Sequence, residues 1–407
     1  MGRNLQLLLL GTAHSLNHSL FVIAPPLLSV IMTDLEVSNR VMGTISMTAS
    51  FIYGFGALAG GPLGDKIGEA KTITLFLLFS GFSTFIMFAA GATKSLTFFA
   101  LALILMAAGA SLYHPTANSL ISKTFSEHVS ESMGLHGVGG TLGVVLTPTI
   151  AWFIGSSLGW PVAFAFFGSL CIIFAFLFTK KFGFKSHKGK RQAAGSIVEA
   201  LQIRELWLLL VFNIAIGFFM KGVELYFPKY LEDNRAVGPM WASVAYTLVL
   251  AFGVPGQWIG GKCSDKYGPK KMLIVASAGI CLGLLSLLFI SVYFIGISAF
   301  IVLYGIFFYA HQPALNALTG FLSPEIHRGA VYGVFFFTSF GIGSISQLIS
   351  GYLADLYGFD PAFYMLTSFS FIALGLSFLL PDERQKSTLS HNKREKPVDH
   401  PSKEEGN

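Results

Sequence analysis

Along this chain, apolar runs of roughly 20 or more residues alternate with short polar or charged breaks, and each run is long enough for an α-helix to cross about 30 Å of hydrocarbon. Twelve such runs are predicted, at 5–31, 41–63, 72–91, 95–122, 130–155, 160–181, 205–231, 239–261, 271–291, 295–320, 328–354 and 361–381. Between the sixth and seventh lies a polar, basic stretch, 182–204, with Lys185, Lys188, Lys190 and Arg191. From Asp382 the chain turns polar and mixed in charge, a composition that favours disorder. The expected layout is therefore an N-terminal six-helix bundle (1–181), a linker (182–204), a C-terminal six-helix bundle (205–381) and a tail (382–407).

The polar breaks repeat. Gly60-Gly61-Pro62-Leu63-Gly64-Asp65-Lys66-Ile67-Gly68 returns as Gly260-Gly261-Lys262-Cys263-Ser264-Asp265-Lys266-Tyr267-Gly268, with Gly61, Asp65, Lys66 and Gly68 aligned without a gap. His114-Pro115-Thr116-Ala117-Asn118 in span 4 aligns with Gln312-Pro313-Ala314-Leu315-Asn316 in span 10, and Gly159-Trp160-Pro161 echoes Gly358-Phe359-Asp360. Two related halves joined by a basic linker form the layout of parallel transporter repeats.

Composition sharpens the picture. Only 12% of the residues are charged and 53% are hydrophobic, whereas a soluble domain carries about 25% charge. Lysine and arginine placement sets orientation. Of the 27 basic residues, Arg40, Lys94, Lys229 and Arg235 alone fall on one side and Lys221 alone within a span. The remainder place both termini and the linker in the cytoplasm, on a plasma (inner) membrane. The basic excess thus tracks topology and does not point to nucleic acid. The first run is too long for a signal peptide and lacks a cleavage pattern, so it reads as a membrane helix. Cys171, Cys263 and Cys281 form no CxxC pair, and neither a disulfide framework nor a metal motif is read from them.

Ionisable groups within a span cost about 2.5–3.5 kcal/mol each on insertion scales. Lys221 and Glu224, three apart on span 7, share a face and can pair. Such a pair suits a coupling site in which Glu224 binds a proton or Lys221 meets an anionic solute; a self-neutralising structural pair is the alternative. Five histidines also fall within spans: His14 and His18, one turn apart on span 1 with Asn17 beside them, and His114, His136 and His311. Each can carry a proton or donate to a solute, or can satisfy an interhelical hydrogen bond. A metal at His14 and His18 needs a third donor, and no acid or cysteine is near in sequence, so no metal is expected. Pro115 and Pro313 free backbone carbonyls within spans 4 and 10, with Asn118 and Asn316 one turn on. Glycine and serine fill spans 5 and 11, which suits sliding halves and static packing about equally. Gly256-Gln257-Trp258-Ile259-Gly260-Gly261-Lys262-Cys263 nearly fits a phosphate-binding loop, but it ends in Cys, has no strand before it and lies at a membrane helix end. Neither ATP-driven transport nor enzymatic catalysis has support, and no cofactor is expected.

The Gly-x-x-x-Asp-Lys-x-Gly loops after spans 2 and 8 resemble the signature loop of the major facilitator superfamily, and the resemblance covers residues 5–381. Within it, His14-Ser15-Leu16-Asn17, Tyr113-His114-Pro115 and Gly137-Val138-Gly139-Gly140-Thr141-Leu142-Gly143 followed by Pro148 are most similar to the fosmidomycin-resistance group of drug exporters. The chain departs from that group at His18 and Thr116, where acids are usual, and at Glu69-Ala70, where basic residues are usual. The resemblance implies a twelve-helix, all-α membrane protein with spans 1, 4, 7 and 10 around a central cavity. It implies substrate or proton binding by His14, Asn17, His18, His114, Asn118, His136, Lys221, Glu224, His311 and Asn316, and gating by Asp65, Lys66, Asp265 and Lys266. The resulting expectation is a monomeric secondary transporter whose partners are a small-molecule substrate, protons and the lipid bilayer, working by proton-coupled export. Proton-coupled uptake of an anionic metabolite and a non-transporting sensor are the alternatives.

Overall fold

The computed structural model describes residues 2–125, 128–182, 199, 201–324 and 328–382. Most of the expected linker and all but the first residue of the expected tail lie outside the described residues. Among those described, twelve helices are long and apolar enough to cross a membrane, and there is no strand. They are α1 (Arg3–Leu35), α2 (Asn39–Ile67), α3 (Glu69–Thr93), α4 (Leu96–Thr124), α5 (Glu131–Leu158), α6 (Trp160–Phe182), α7 (Leu206–Arg235), α8 (Pro239–Tyr267), α9 (Pro269–Phe289), α10 (Tyr293–Leu322), α11 (Gly329–Tyr357) and α12 (Phe359–Leu379). Each matches one predicted apolar run, with ends shifted by a few residues.

The repeat seen in the sequence is also a backbone repeat. Gly68 and Gly268 turn between α2 and α3 and between α8 and α9 with φ 98° and 93°. Gly159 and Gly358 do the same before α6 and α12 with φ 97° and 79°. Glycine alone takes that conformation without strain, so the recurring glycines mark where each half must reverse direction.

The helices form two six-helix bundles. In the first, α1 packs on α5 and α3 on α6; in the second, α10 packs on α8 and α9, and α7 on α12. The bundles meet along α2–α11 and α5–α8. At the end where α2 begins, Asp355 of α11 accepts hydrogen bonds from the backbone N of Asn39 (2.9 Å) and of Arg40 (2.8 Å) and from Asn39 Nδ2 (3.0 Å). A carboxylate at a helix N-terminus satisfies donors that the helix leaves unpaired. Tyr226 donates to the Asn39 carbonyl (2.8 Å), and Ser29 donates to Glu232 (2.5 Å), closing the same end.

The small-residue stripes have distinct uses. On α5, a Cβ at Gly139 or Gly143 would lie 2.2 Å from the carbonyl oxygen of Gly11 or Ser15, so these glycines set a backbone-close approach to α1 inside one bundle. On α11, a Cβ on Gly54 of α2 would lie 2.7 Å from the Gly341 nitrogen, so there the close approach is between bundles.

Three spans are interrupted. α1 leaves helical geometry after Phe21 and resumes through a 3-10 turn at Pro25–Leu27, because consecutive prolines lack the amide donors that an α-helix needs. α4 breaks at Ser111 and Leu112. α11 contains a π-helical turn over Phe337–Ile342, with Gly343 N donating to the Thr338 carbonyl (3.0 Å).

Candidate functional site

The two interruptions in the first bundle meet at one asparagine. Asn17, fully buried on α1, donates from Nδ2 to the Ala110 carbonyl (2.9 Å), which the break in α4 leaves without its helical partner. Its Oδ1 accepts from the Tyr53 hydroxyl (3.1 Å). With both ends of its amide engaged by protein, Asn17 fixes α1, α2 and α4 against one another.

Around that anchor the fold gathers four histidines from three helices. His14 stacks on His136 with centroids 4.1 Å apart and planes 10° from parallel. It lies 4.7 Å from His18 and 5.0 Å from His114, and His18 lies 5.2 Å from His114. The hydrogen bonds fix two tautomers. His14 Nδ1 is 2.8 Å from the His136 carbonyl, which can only accept, so Nδ1 carries the proton and Nε2 a lone pair. The Tyr113 hydroxyl donates to the Leu10 carbonyl (2.7 Å), so His136 Nε2, 2.9 Å away, donates to the Tyr113 oxygen. Gly140 makes room: a Cβ there would lie 2.5 Å from His14 Cε1. The sequence offered no third donor beside His14 and His18; the fold supplies His114, and one nitrogen from each of the three rings lies within 4.8 Å of the others.

A second polar group sits between the bundles. Lys221 Nζ and Glu224 Oε2 are 2.7 Å apart, as their spacing on α7 predicts. The lysine side chain is 2% exposed and the glutamate 23%, so the carboxylate is the more accessible partner. Both line a pocket of about 50 Å³ with Phe21, Ser46, Ser50 and Gln347, where the break in α1 opens space beside Ala24 and Pro25. Ser50 donates to Gln347 across the bundles (3.3 Å). Such a space holds a water or two, against about 300–1,000 Å³ for a typical ligand pocket.

An aromatic partition joins the two groups. Tyr53 packs on Phe21 of the pocket (4.2 Å) and on Phe336 and Phe340 (5.3 and 5.5 Å), with His114 at 6.4 Å. Lys221 Nζ lies 4.6 Å from the Phe340 ring centroid, a cation–π contact across the same partition. Phe340 is held there by the π-helical turn. Asn213 Nδ2 satisfies the Phe335 carbonyl (2.7 Å) and the Thr338 hydroxyl (2.8 Å) that the turn disturbs.

The other candidates lie apart. His311 is buried and bonds through Nδ1 to the Phe308 carbonyl of its own helix. Asn118 and Asn316 are exposed at the far ends of α4 and α10, where the Asn316 carbonyl accepts from Tyr332 (3.0 Å). At the first signature loop, Asp65 is 3.2 Å from Lys123, which also pairs with Glu69 at 2.5 Å. Lys66, Asp265 and Lys266 are exposed, and Lys266 lies 5.0 Å from the Tyr267 ring centroid. Sequence reasoning missed Tyr53, Tyr113, Asn213, Gln347 and the Lys123–Glu69 pair. Tyrosines in apolar runs carry no special signal. Glu69 did carry one, as an acid where the resembling loops have a base.

Residues 7–347 match the family model of the Major Facilitator Superfamily. The chain is 22% identical over 386 residues to the fosmidomycin resistance protein of Escherichia coli, covering 93% of each. It is 25% identical over 372 residues to a probable sulfoacetate transporter of Cupriavidus necator, covering 83% of each. Its fold superimposes with a TM-score of 0.74 on a bacterial homologue of the human lysosomal transporter Spinster, at 16% identity, covering 93% of this chain and 96% of the other.

Proposed function

Because the chain belongs to the major facilitator superfamily, and so is a multi-pass membrane transporter of small solutes rather than an enzyme, we propose that it exports a small polar or amphipathic organic solute in exchange for protons. The observation that carries this reading is the Lys221–Glu224 pair lining the pocket between the bundles. Glu224, the accessible member, is ionised when it accepts a donor group of the solute. Its protonation from the opposite side displaces the solute, so proton and solute alternate at one carboxylate. The small pocket fits a closed state, and the bundles must part to admit cargo. Alternating access follows when the Asn39–Asp355 seal opens on one side while the rim of Asp65, Lys66, Asp265 and Lys266 closes on the other. The basic-residue asymmetry places that rim and both termini in the cytoplasm. Similarity to the fosmidomycin resistance protein over most of both chains supports export.

A second reading, uptake of an anionic metabolite with protons, is favoured by Lys221. Protonation of Glu224 would free the buried ammonium to take a solute's anionic group, so proton and anion would travel together. Sulfoacetate, named for one relative, is such an anion. The two readings differ in direction. In everted vesicles loaded with a pH-sensitive dye, export by antiport gives proton efflux when solute is added. Proton entry with solute in whole cells supports the second reading and rules out the first. Normal gradient-driven transport by Glu224→Gln removes both.

A further inference from the structure

The histidine cluster stands apart from the Lys221–Glu224 pocket, and its chemistry differs. His14 Nε2 carries a lone pair, is buried, and has no protein hydrogen-bond partner; His114 Nε2 is likewise buried and unpartnered. Buried nitrogen acceptors left unpaired are unfavourable, and two of them turned toward a third imidazole call for an occupant that accepts electron pairs. A proton satisfies one lone pair and then repels its neighbours. A divalent metal ion satisfies all three.

We propose that His14, His18 and His114 form an intramembrane site for one late first-row divalent transition-metal ion, such as Zn²⁺ or Co²⁺. Three imidazoles with a fourth position left for water or a solute anion form a recurrent tetrahedral donor set. Zinc–nitrogen bonds of about 2.0–2.1 Å put tetrahedral ligand nitrogens about 3.4 Å apart. The nitrogens here lie within 4.8 Å, and small side-chain rotations close the difference without moving a helix.

The support behind the first ligand is already built. His14 donates Nδ1–H to the His136 carbonyl, the outer contact that fixes tautomer and aim in metal-binding histidines. His136 stacks on the back of the His14 ring and is itself held by Tyr113. Gly140 leaves the ring its place. Imidazole nitrogens select Zn²⁺, Cu²⁺, Ni²⁺ and Co²⁺ over Mg²⁺ and Ca²⁺, which prefer oxygen. All three donors belong to the first bundle, so the site does not depend on which way the transporter faces or on what it carries. Its failure and that of the transport reading are therefore separable.

The test uses the full chain in detergent, stripped with a chelator and titrated with Co²⁺. The site predicts visible d–d absorption of a tetrahedral Co²⁺ complex saturating at one equivalent. Zn²⁺ should abolish that absorption and Mg²⁺ should leave it unchanged. Loss of an outer-shell partner weakens metal binding about 10–100-fold, so His18→Ala and His114→Ala should each weaken it by about 100-fold or more, with His311→Ala unchanged. Each variant is checked for a monodisperse elution profile, and His18→Gln and His114→Gln replace any alanine variant that fails the check. Absence of a saturable tetrahedral spectrum, or its survival in both the His18 and His114 variants, overturns the proposal.

Discussion

The two bundles share a backbone plan and fill it with opposite chemistry. In the first, the interior holds uncharged rings, His14, His18, His114 and His136, and the ion pairs stand at the rim, where Lys123 bridges Asp65 and Glu69. In the second, the interior holds the ion pair Lys221–Glu224. Its rim has Pro269 and Phe321 at the repeat positions of Glu69 and Lys123, and Gln312 at that of His114. Duplication thus preserved the turns and close helix approaches, while charge moved from the edge of one half to the centre of the other. A repeat constrains where the backbone bends far more tightly than what its side chains carry.

The largest effect that would break this contrast is at Glu224. Glu224→Gln should abolish gradient-driven transport in reconstituted vesicles. Leaving Lys221 buried without its partner should also destabilise the protein by about 3–5 kcal/mol, read from thermal unfolding in detergent. Replacing both, Lys221→Met with Glu224→Leu, should recover most of that stability and none of the transport. Transport by the double variant would make the pair structural and erase the difference in role between the bundle interiors.

A smaller effect tests the rims. Lys123→Met leaves Glu69, only 4% exposed, without its counter-charge and should cost about 1–3 kcal/mol. Asp265→Asn at the other rim should stay within about 0.5 kcal/mol. Equal losses at the two positions would mean that the rims are equivalent after all. Smaller again, Gly140→Ala should crowd the His14 ring and cost about 1–3 kcal/mol if the core does not relax, toward the low end if the ring tilts. Its neighbour on α5, Gly137, has nothing within 4 Å of a Cβ, and Gly137→Ala should change stability by no more than about 0.5 kcal/mol. Unfolding midpoints of the two variants separate a packing role from a general need for glycine in this helix.

Much of this was legible from hydropathy alone. Twelve spans, their repeat and the Lys221–Glu224 pairing follow from run length and from three-residue spacing on one helix. The histidine cluster was only half legible. His14 and His18 share a helix face by periodicity, but the approach of His114 depends on a break in α4 that no local pattern marks. Asn17 drew notice as a polar residue near histidines, and the structure gives it a carbonyl to satisfy, which only the position of that break explains. Glu69 read as an irregular loop residue because its partner lies on another helix.

The π-helical turn in α11 has a bearing on how this protein tolerates length changes. It holds one residue more than an α-helical turn would, and a residue in an α-helix turns about 100°. Deleting a single amino acid within 337–342 would let the segment wind as ordinary helix and swing everything after it around the axis by roughly that angle. Gln347 and Asp355 would then point away from α2, and two contacts between the halves would disappear together. A one-codon loss in this hexapeptide is therefore worse than most substitutions within it, and homologous chains should keep its residue count even where its letters drift.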